Sequence, residues 1–136
     1  MTKHVLIIED QPSLVLILRM QLEMKGYRVT FSLNGEDGLR KAREQKPDVV
    51  LLDLGLPRMS GMIVCRHLKD DPLTRQMRVI IVSGVPANEL EAMRTTIGAD
   101  ACISKPHDGR KLAGLITTML EHQPPLSAEA SLNASH

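Results

Sequence analysis

Five short strand-like runs alternate with five segments of helical pattern, and this alternation restricts the chain to few folds. Residues 5–8, 49–52 and 79–82 are continuous stretches of Val, Ile and Leu, typical of central parallel strands covered on both faces. Residues 27–31 alternate in polarity and predict a more peripheral strand, and residues 101–103 predict a short fifth strand. The repeated strand–helix order therefore predicts an α/β domain with a doubly wound parallel sheet, a (βα)5 fold.

The helical segments between these strands carry start and stop signals. The first helix is predicted over residues 12–25, with proline at its start and Gly26 after its end. A side chain that can cap the helix precedes each of the others, in two cases as part of a capping box. These are Asn34 with Asp37 for the second helix, Ser60 for the third, Asn88 with Glu91 for the fourth and Asp108 for the fifth.

Length and composition indicate one domain followed by a tail. The chain of 136 residues is long enough for a single well-buried core. We expect the domain to cover residues 3–121, because the periodic pattern stops there. Residues 122–136 are polar or small and without periodicity, so we predict a disordered C-terminal tail.

Charge and hydropathy exclude several classes of function. Seventeen basic and sixteen acidic residues give a net charge of +1, so nothing electrostatic predicts direct nucleic-acid binding. The longest apolar run, residues 14–18, is far shorter than the roughly 20 residues of a membrane span. The N-terminal apolar run is too short for a signal peptide, and the two cysteines show no disulfide pattern. We therefore expect a cytoplasmic protein without membrane contact.

Polar residues follow the predicted strands where ligands bind in such sheets. The carboxyl ends of parallel strands meet at one edge, and ligand sites lie there. The first strand is followed by Glu9 and Asp10, and the third ends in Asp53. The fourth strand ends in Ser83, and the fifth leads to Lys105. The sequence thus predicts three carboxylates, a hydroxyl and an ammonium group at one edge.

This combination of charges favours phosphoryl chemistry with a metal. Two like charges about 4 Å apart repel by about 1 kcal/mol in water and about 4 kcal/mol at an effective dielectric constant near 20. Lys105 alone cannot offset three carboxylates, whereas Mg²⁺ suits one or two carboxylates together with water and a phosphate. A carboxylate can attack phosphorus, and Asp53, at the end of a central strand, is the most rigidly placed candidate.

The same residues resemble the receiver domain of two-component response regulators. The resemblance is carried by the Glu9–Asp10 pair, residues 51–61, Ser83 with Gly84, and Lys105 with Pro106. It covers about residues 3–121, and the motifs are specific because all of them stand in this order at strand ends. It implies a flavodoxin-like sheet with strand order 2-1-3-4-5.

The resemblance also implies a role for each residue of the phosphoryl site. Asp53 takes a phosphoryl group from a phosphohistidine on a histidine kinase or a histidine phosphotransfer protein. Ser83 and Lys105 contact the phosphoryl oxygens, and the bond between Lys105 and Pro106 is expected to be cis. The domain catalyses only its own phosphorylation and dephosphorylation, and it is otherwise not an enzyme.

A metal site and further partners are implied in the same way. Asp10 and Asp53 bind Mg²⁺ directly together with the backbone carbonyl of Gly55, and Glu9 contributes directly or through water. Phosphorylation changes the conformation and so controls a partner or an output domain. The resemblance also allows a further domain and a phosphorylation-dependent homodimer.

Three residues depart from the usual pattern of the family. Cys102 stands where Tyr or Phe usually precedes the Lys by three residues, and His107 stands where Phe often follows Lys-Pro. Gly55 replaces an often polar residue two positions after the phosphoacceptor. We therefore expect phosphorylation to act through the backbone of residues 83–88, with little side-chain switching at Cys102.

Three alternative functions remain at this point. A haloacid-dehalogenase-like phosphatase would need a second Asp two residues after the nucleophile, where this chain has Gly55. A nucleotide or flavin binder would need a phosphate-binding loop after the first strand, where residues 9–12 are Glu-Asp-Gln-Pro. A receiver-like interaction module would work without any phosphoryl group.

The first helix has more apolar residues than one buried stripe requires. Residues 14–18, 20, 22 and 24 are all Leu, Val, Ile or Met. Either burial is wider than usual, or part of the helix is exposed as a docking face for the helices of a partner. In the second case, Val15, Leu16 and Met20 are candidate docking residues.

Overall fold

The computed structural model describes residues 2–105 and 109–121. Within these residues, five strands and five helices alternate, as the sequence predicted. No helix among them is long and apolar enough to cross a membrane. The elements are β1 His4–Ile8, α1 Pro12–Met24, β2 Arg28–Ser32, α2 Gly35–Gln45, β3 Val49–Asp53, α3 Gly61–Asp70, β4 Arg78–Ser83, α4 Ala87–Ile97, β5 Ala101–Ser104 and α5 Gly109–Glu121.

The strands form one parallel sheet in the order β2-β1-β3-β4-β5, which confirms the predicted strand order. Register pairs connect Ile8 with Leu52, and Asp53 with Val82. At the far side, Ser83 of β4 pairs with Ser104 of β5. This register aligns the carboxyl ends of β1, β3, β4 and β5 along one edge.

Two apolar cores cover the two faces of the sheet. Alternate residues of a strand point to opposite faces, so Leu6 and Ile8 join one core while Val5 and Ile7 join the other. The first core is closed by α2, α3 and α4, and the second by α1 and α5. Both faces of the central strands are therefore buried, which explains their unbroken apolar runs.

The predicted caps are correct for α3, half correct for α2 and wrong for α4. Ser60 accepts a hydrogen bond from the Ile63 amide at 3.4 Å, and Asn34 accepts one from the Asp37 amide at 2.8 Å. The Asp37 carboxylate does not complete a box, because it accepts from the Ser32 hydroxyl instead.

The fourth helix begins earlier than its predicted capping box. Pro86 is the N-cap residue and makes no side-chain hydrogen bond, so Asn88 lies inside the first turn. Glu91 pairs with Arg94 one turn later, at 2.6 Å. Proline fixes its own φ and is accepted at the entrance of a helix, so the helix begins before Asn88 and no side chain caps it.

The first helix buries one stripe and exposes another. Val15, Leu18 and Leu22 pack into the second core. Val15 is therefore wrong as a docking candidate, because residues 15, 18 and 22 share the inward face at helical spacing. The expectation of exposed apolar residues is confirmed on the opposite side, at Leu16, Ile17, Met20 and Met24.

Several sequence predictions lie outside the described residues. They concern the cis bond between Lys105 and Pro106, the replacement of the usual Phe by His107, the Asp108 cap and the disordered tail at residues 122–136. The domain boundaries at 3 and 121 also remain a prediction.

Candidate functional site at the carboxyl edge of the sheet

Three carboxylates meet at the carboxyl ends of β1 and β3. One carboxylate oxygen from each of Glu9, Asp10 and Asp53 lies within 4.8 Å of the others. Glu9 is only 3% exposed and Asp53 only 7%, whereas Asp10 reaches solvent. The cluster therefore combines two buried acidic groups with one accessible group.

Lys105 is the cation that faces this cluster. Its ammonium Nζ lies 3.0 Å from Oε1 of Glu9 and 3.4 Å from Oδ1 of Asp53. Burial works to lower the pKa of Lys105, but the hydrogen bond to Glu9 and the charge of Asp53 raise that pKa above its ordinary value. One firmly charged ammonium group thus opposes three carboxyl groups.

Burial and the neighbouring carboxylates both raise the pKa of Glu9. This pKa is raised from 4.5 to about 7, mainly because burial disfavours the charged carboxylate. The hydrogen bond to Lys105 lowers the pKa of Glu9, while Asp10 and Asp53 raise it. The site thus has room for additional positive charge, either a proton or a cation with oxygen ligands.

The backbone around β3 holds Asp53 in place. The Gly55 amide donates to Oδ1 of Asp53 at 3.1 Å, and the Leu54 amide donates to the Val82 carbonyl at 3.2 Å. At the start of α3, a Cβ on Gly61 would collide with the Asp53 carbonyl oxygen. Glycine at position 61 therefore lets α3 pack directly against the end of β3, which fixes the backbone of Asp53.

Ser83 ends β4 on the strand next to Asp53, and it is buried. Its hydroxyl oxygen accepts a hydrogen bond from the Val85 amide at 3.2 Å. Its carbonyl accepts one from the Lys105 amide at 2.6 Å, so the backbones of Ser83 and Lys105 are joined. The hydroxyl and the ammonium group are thus delivered by adjacent strands.

The structure brings together four of the residues predicted from the sequence: Glu9, Asp10, Asp53 and Lys105. Sequence reasoning missed the direct bond between Glu9 and Lys105, which are 96 positions apart. It also missed Gly61, although residues 51–61 were part of the motif, and Ser104, although Ser104 adjoins Lys105. Strand order and register decide such contacts, and motif spacing does not reveal them.

Comparison with known proteins agrees with this architecture. The family model for the response regulator receiver domain matches residues 5–117. The polar-differentiation response regulator DivK of Brucella anthropi is 38% identical over 106 residues, covering 78% of this chain and 86% of DivK. A CheY-like receiver domain protein from Methanospirillum hungatei has a TM-score of 0.82 at 29% identity, covering 90% of this chain and 97% of that one.

Other relatives are longer proteins. The alkaline phosphatase synthesis transcriptional regulatory protein PhoP of Bacillus subtilis is 30% identical over 120 residues, which cover 88% of this chain and 49% of PhoP. The chain thus spans about half the length of that relative. On the family match, the fold and the strand-end residues together, the chain belongs to the response regulator receiver domains, the phosphoryl-accepting domains of two-component signalling.

Proposed function

We propose that Asp53 is the phosphoacceptor of this receiver domain and that a phosphohistidine is its donor. The observation that carries the proposal is the position of Asp53 at the buried end of a central strand, beside two other carboxylates and Lys105. In the transfer, an oxygen of Asp53 forms a bond to phosphorus while the P–N bond of phosphohistidine breaks. The electron pair leaves on the imidazole nitrogen, which takes up a proton from solvent.

The residues around Asp53 would stabilise the charge that moves in this step. Lys105 carries a positive charge 3.4 Å from Asp53 and can shift to a phosphoryl oxygen. The Ser83 hydroxyl has its own hydrogen available for donation to another phosphoryl oxygen. The domain would thereby promote its own phosphorylation, and attack by water on the aspartyl phosphate would reverse the modification.

Receiver domains generally bind Mg²⁺ at an acidic pocket, and the donor set here fits that ion. Three carboxylates opposed by one ammonium group leave room for a hard cation with oxygen ligands. Asp10, Asp53 and the Gly55 carbonyl would hold it, with Glu9 contributing directly or through water. When bound, Mg²⁺ supplies positive charge to the phosphoryl oxygens.

Two alternatives are less compatible with these residues. A haloacid-dehalogenase-like phosphatase lacks its general acid, because Gly55 has no side chain with which to protonate a leaving group. A nucleotide or flavin site would meet Glu9 and Asp10 where its phosphates bind, and these carboxylates repel phosphate. The labelling experiment below distinguishes a phosphoryl-accepting receiver from an interaction module without phosphoryl chemistry.

The experiment is phosphorylation by acetyl phosphate with Mg²⁺, followed by intact mass. We expect the wild type and Asp48→Asn to gain one phosphoryl group and Asp53→Asn to gain none. Asp48 is a matched control because it immediately precedes the same strand, at the opposite edge of the sheet. Equal labelling of Asp53→Asn would disprove the assignment, and an unlabelled wild type would favour the interaction module.

The exposed stripe of α1 is the proposed docking surface for the phosphohistidine donor. Leu16, Ile17 and Met20 are 58%, 52% and 56% exposed, and they lie on one side of the helix. The proposed donor is a helical phosphotransfer partner, against which an apolar stripe can pack as one helix packs against another.

Single substitutions of Leu16, Ile17 and Met20 by Ser test this surface. They should slow transfer from a phosphorylated histidine phosphotransfer domain and leave labelling by acetyl phosphate unchanged. Leu73→Ser is the control, because Leu73 is equally exposed but lies between α3 and β4. Normal transfer to all three α1 variants would show that the donor docks elsewhere.

The output of the phosphorylated domain extends this proposal. Response regulators act with histidine kinases and output domains, and phosphorylation here would control a partner, a further domain or a homodimer.

We infer a cytoplasmic location, where the free thiols of Cys65 and Cys102 stay reduced.

A further inference from the structure

Ser104, the last residue of β5, makes a contact toward the neighbouring loop. Its hydroxyl donates a hydrogen bond of 2.7 Å to the carbonyl of Val85, which is 19 positions earlier in the chain. Val85 belongs to the short connection between β4 and α4. The side chain of Ser104 therefore ties the end of one strand to the loop that follows the adjacent strand.

Val85 is held at both of its backbone polar groups by serine hydroxyls. Its carbonyl accepts from Ser104, and its amide donates to the hydroxyl oxygen of Ser83 at 3.2 Å. Ser83 and Ser104 are register partners on β4 and β5. The two serines and the loop residue thus form a closed hydrogen-bonded unit beside Lys105.

The direction of these bonds matters for the Ser83 hydroxyl. A serine hydroxyl has one hydrogen and two lone pairs. When Ser83 accepts from the Val85 amide, it uses a lone pair and keeps its hydrogen free to donate. The position of the Val85 amide therefore determines where the Ser83 hydroxyl oxygen lies and limits the directions in which its hydrogen can point.

We infer that Ser104 is a positioning residue for phosphoryl transfer, which acts through Val85 on the hydroxyl of Ser83. This inference rests on the proposed contact between Ser83 and the phosphoryl group. Gly84 lies between the serine and the valine, and a Cβ built there meets no atom within 4 Å. The side chain of Val85 packs against the first core, and the hydrogen bond from Ser104 adds a restraint on the Val85 backbone carbonyl.

The test compares substitutions at position 104 that differ in the hydroxyl. Ser104→Ala removes the hydroxyl. The side chains introduced by Ser104→Thr and Ser104→Val have the same shape, but only threonine keeps the hydroxyl. Thr96→Ala is the matched control, because Thr96 makes the same kind of bond, to the Ala92 carbonyl at 3.2 Å, on an exposed part of α4. Thermal unfolding establishes that each variant is folded.

Labelling by acetyl phosphate at saturating Mg²⁺ is the first measurement. The loss of one net hydrogen bond should slow Ser104→Ala and Ser104→Val by about fivefold. Ser104→Thr and Thr96→Ala should keep the wild-type rate. Mg²⁺ affinity should not change in any variant, because Ser104 touches none of the three carboxylates, whereas a general loosening of the fold would lower it.

Hydrogen exchange of the Val85 amide is the second measurement, and it should accelerate in Ser104→Ala and Ser104→Val. Wild-type labelling rates in these two variants would overturn the inference while leaving the phosphoacceptor assignment intact. Equal slowing in Ser104→Thr would also overturn it, since the hydroxyl would then not be the cause. A wild type that gains no phosphoryl group would overturn both the inference and the proposed function.

Discussion

Charged side chains are arranged differently at the two edges of the same sheet. At the amino edge, Asp100 accepts from Lys69 at 2.7 Å and from the Val79 amide at 2.8 Å, and Arg78 lies 3.5 Å away. At the carboxyl edge, Lys105 faces three carboxyl groups and pairs with two of them. The first arrangement places two cations beside one carboxylate, and the second leaves like charges close together.

This contrast separates a cluster that stabilises the fold from the cluster proposed as the phosphoryl site. The Asp100 cluster joins α3, β4 and the start of β5, so it holds elements together. In the acidic cluster around Asp53, the carboxylates repel one another, and a bound cation would relieve this repulsion. Local conflicts of this kind are expected at functional sites, where the rest of the fold supports an arrangement that is unfavourable by itself.

The largest effect on binding should follow from removing one carboxylate of the acidic edge. Asp10→Ala should weaken Mg²⁺ binding by about tenfold or more, because a site with few protein ligands depends strongly on each charge. Titration with Mg²⁺, followed through amide chemical shifts, measures the affinity. Asp70→Ala, an exposed acid at the end of α3, is the control and should bind like the wild type. An unaltered affinity in Asp10→Ala would refute the metal site.

The amino edge should respond in stability and not in labelling. Lys69 and the Val79 amide both donate to the Asp100 carboxylate, and Asp100→Ala removes these two hydrogen bonds. The free energy of unfolding should therefore fall by about 2–3 kcal/mol. Urea unfolding measures this loss. Folded Asp100→Ala should still be labelled by acetyl phosphate at the wild-type rate. A strong labelling defect would mean that the two edges are coupled.

Removal of a like charge at the carboxyl edge should stabilise the protein slightly. Asp10→Asn should raise the free energy of unfolding by about 1 kcal/mol without Mg²⁺, since one repulsive neighbour of Glu9 and Asp53 is lost. The gain should disappear when Mg²⁺ is added, because the ion then stabilises only the wild type. Destabilisation of Asp10→Asn in metal-free buffer would contradict the contrast between the edges.

The smallest effect concerns His4, a buried group at the amino edge. Its Nε2 lies 2.7 Å from the Thr30 hydroxyl, and its pKa is lowered from 6.5 by burial and by the charge of Arg28, which Asp48 partly offsets. The unfolded chain then binds the proton more readily than the folded one. The stability due to neutral His4 is therefore complete above about pH 6.5 and decreases as the pH falls below it.

Urea unfolding of wild type and His4→Gln at several pH values measures this contribution. The difference in stability between the two proteins should shrink as the pH is lowered from 7.5 to 5.5. His67→Gln is the control, because His67 is exposed on α3. A constant difference for His4→Gln would show that His4 does not titrate differently in the folded protein.

Much of the fold could be predicted from the local pattern of apolar and polar residues. Unbroken Val, Ile and Leu runs identified β1, β3 and β4 because burial on both faces leaves no polar position. The start of α4 and the orientation of α1 were predicted less well, as the wrong cap at Asn88 and the buried Val15 show. At Asn88, a nearby proline started the helix first, and at Val15 only packing decided which of two apolar stripes faces the core.

The sequence by itself determined the alternation of elements and the polar residue at the end of each strand, because both depend on neighbours a few positions apart. Only the tertiary structure decided the partners: Lys105 with Glu9, Asp100 with Lys69, and Ser104 with Val85. Each contact joins residues from different elements, and strand order and register bring them together. The periodicity of the sequence specifies neither strand order nor register. The residues of the candidate site could therefore be named from the sequence, whereas the hydrogen bonds among them could not.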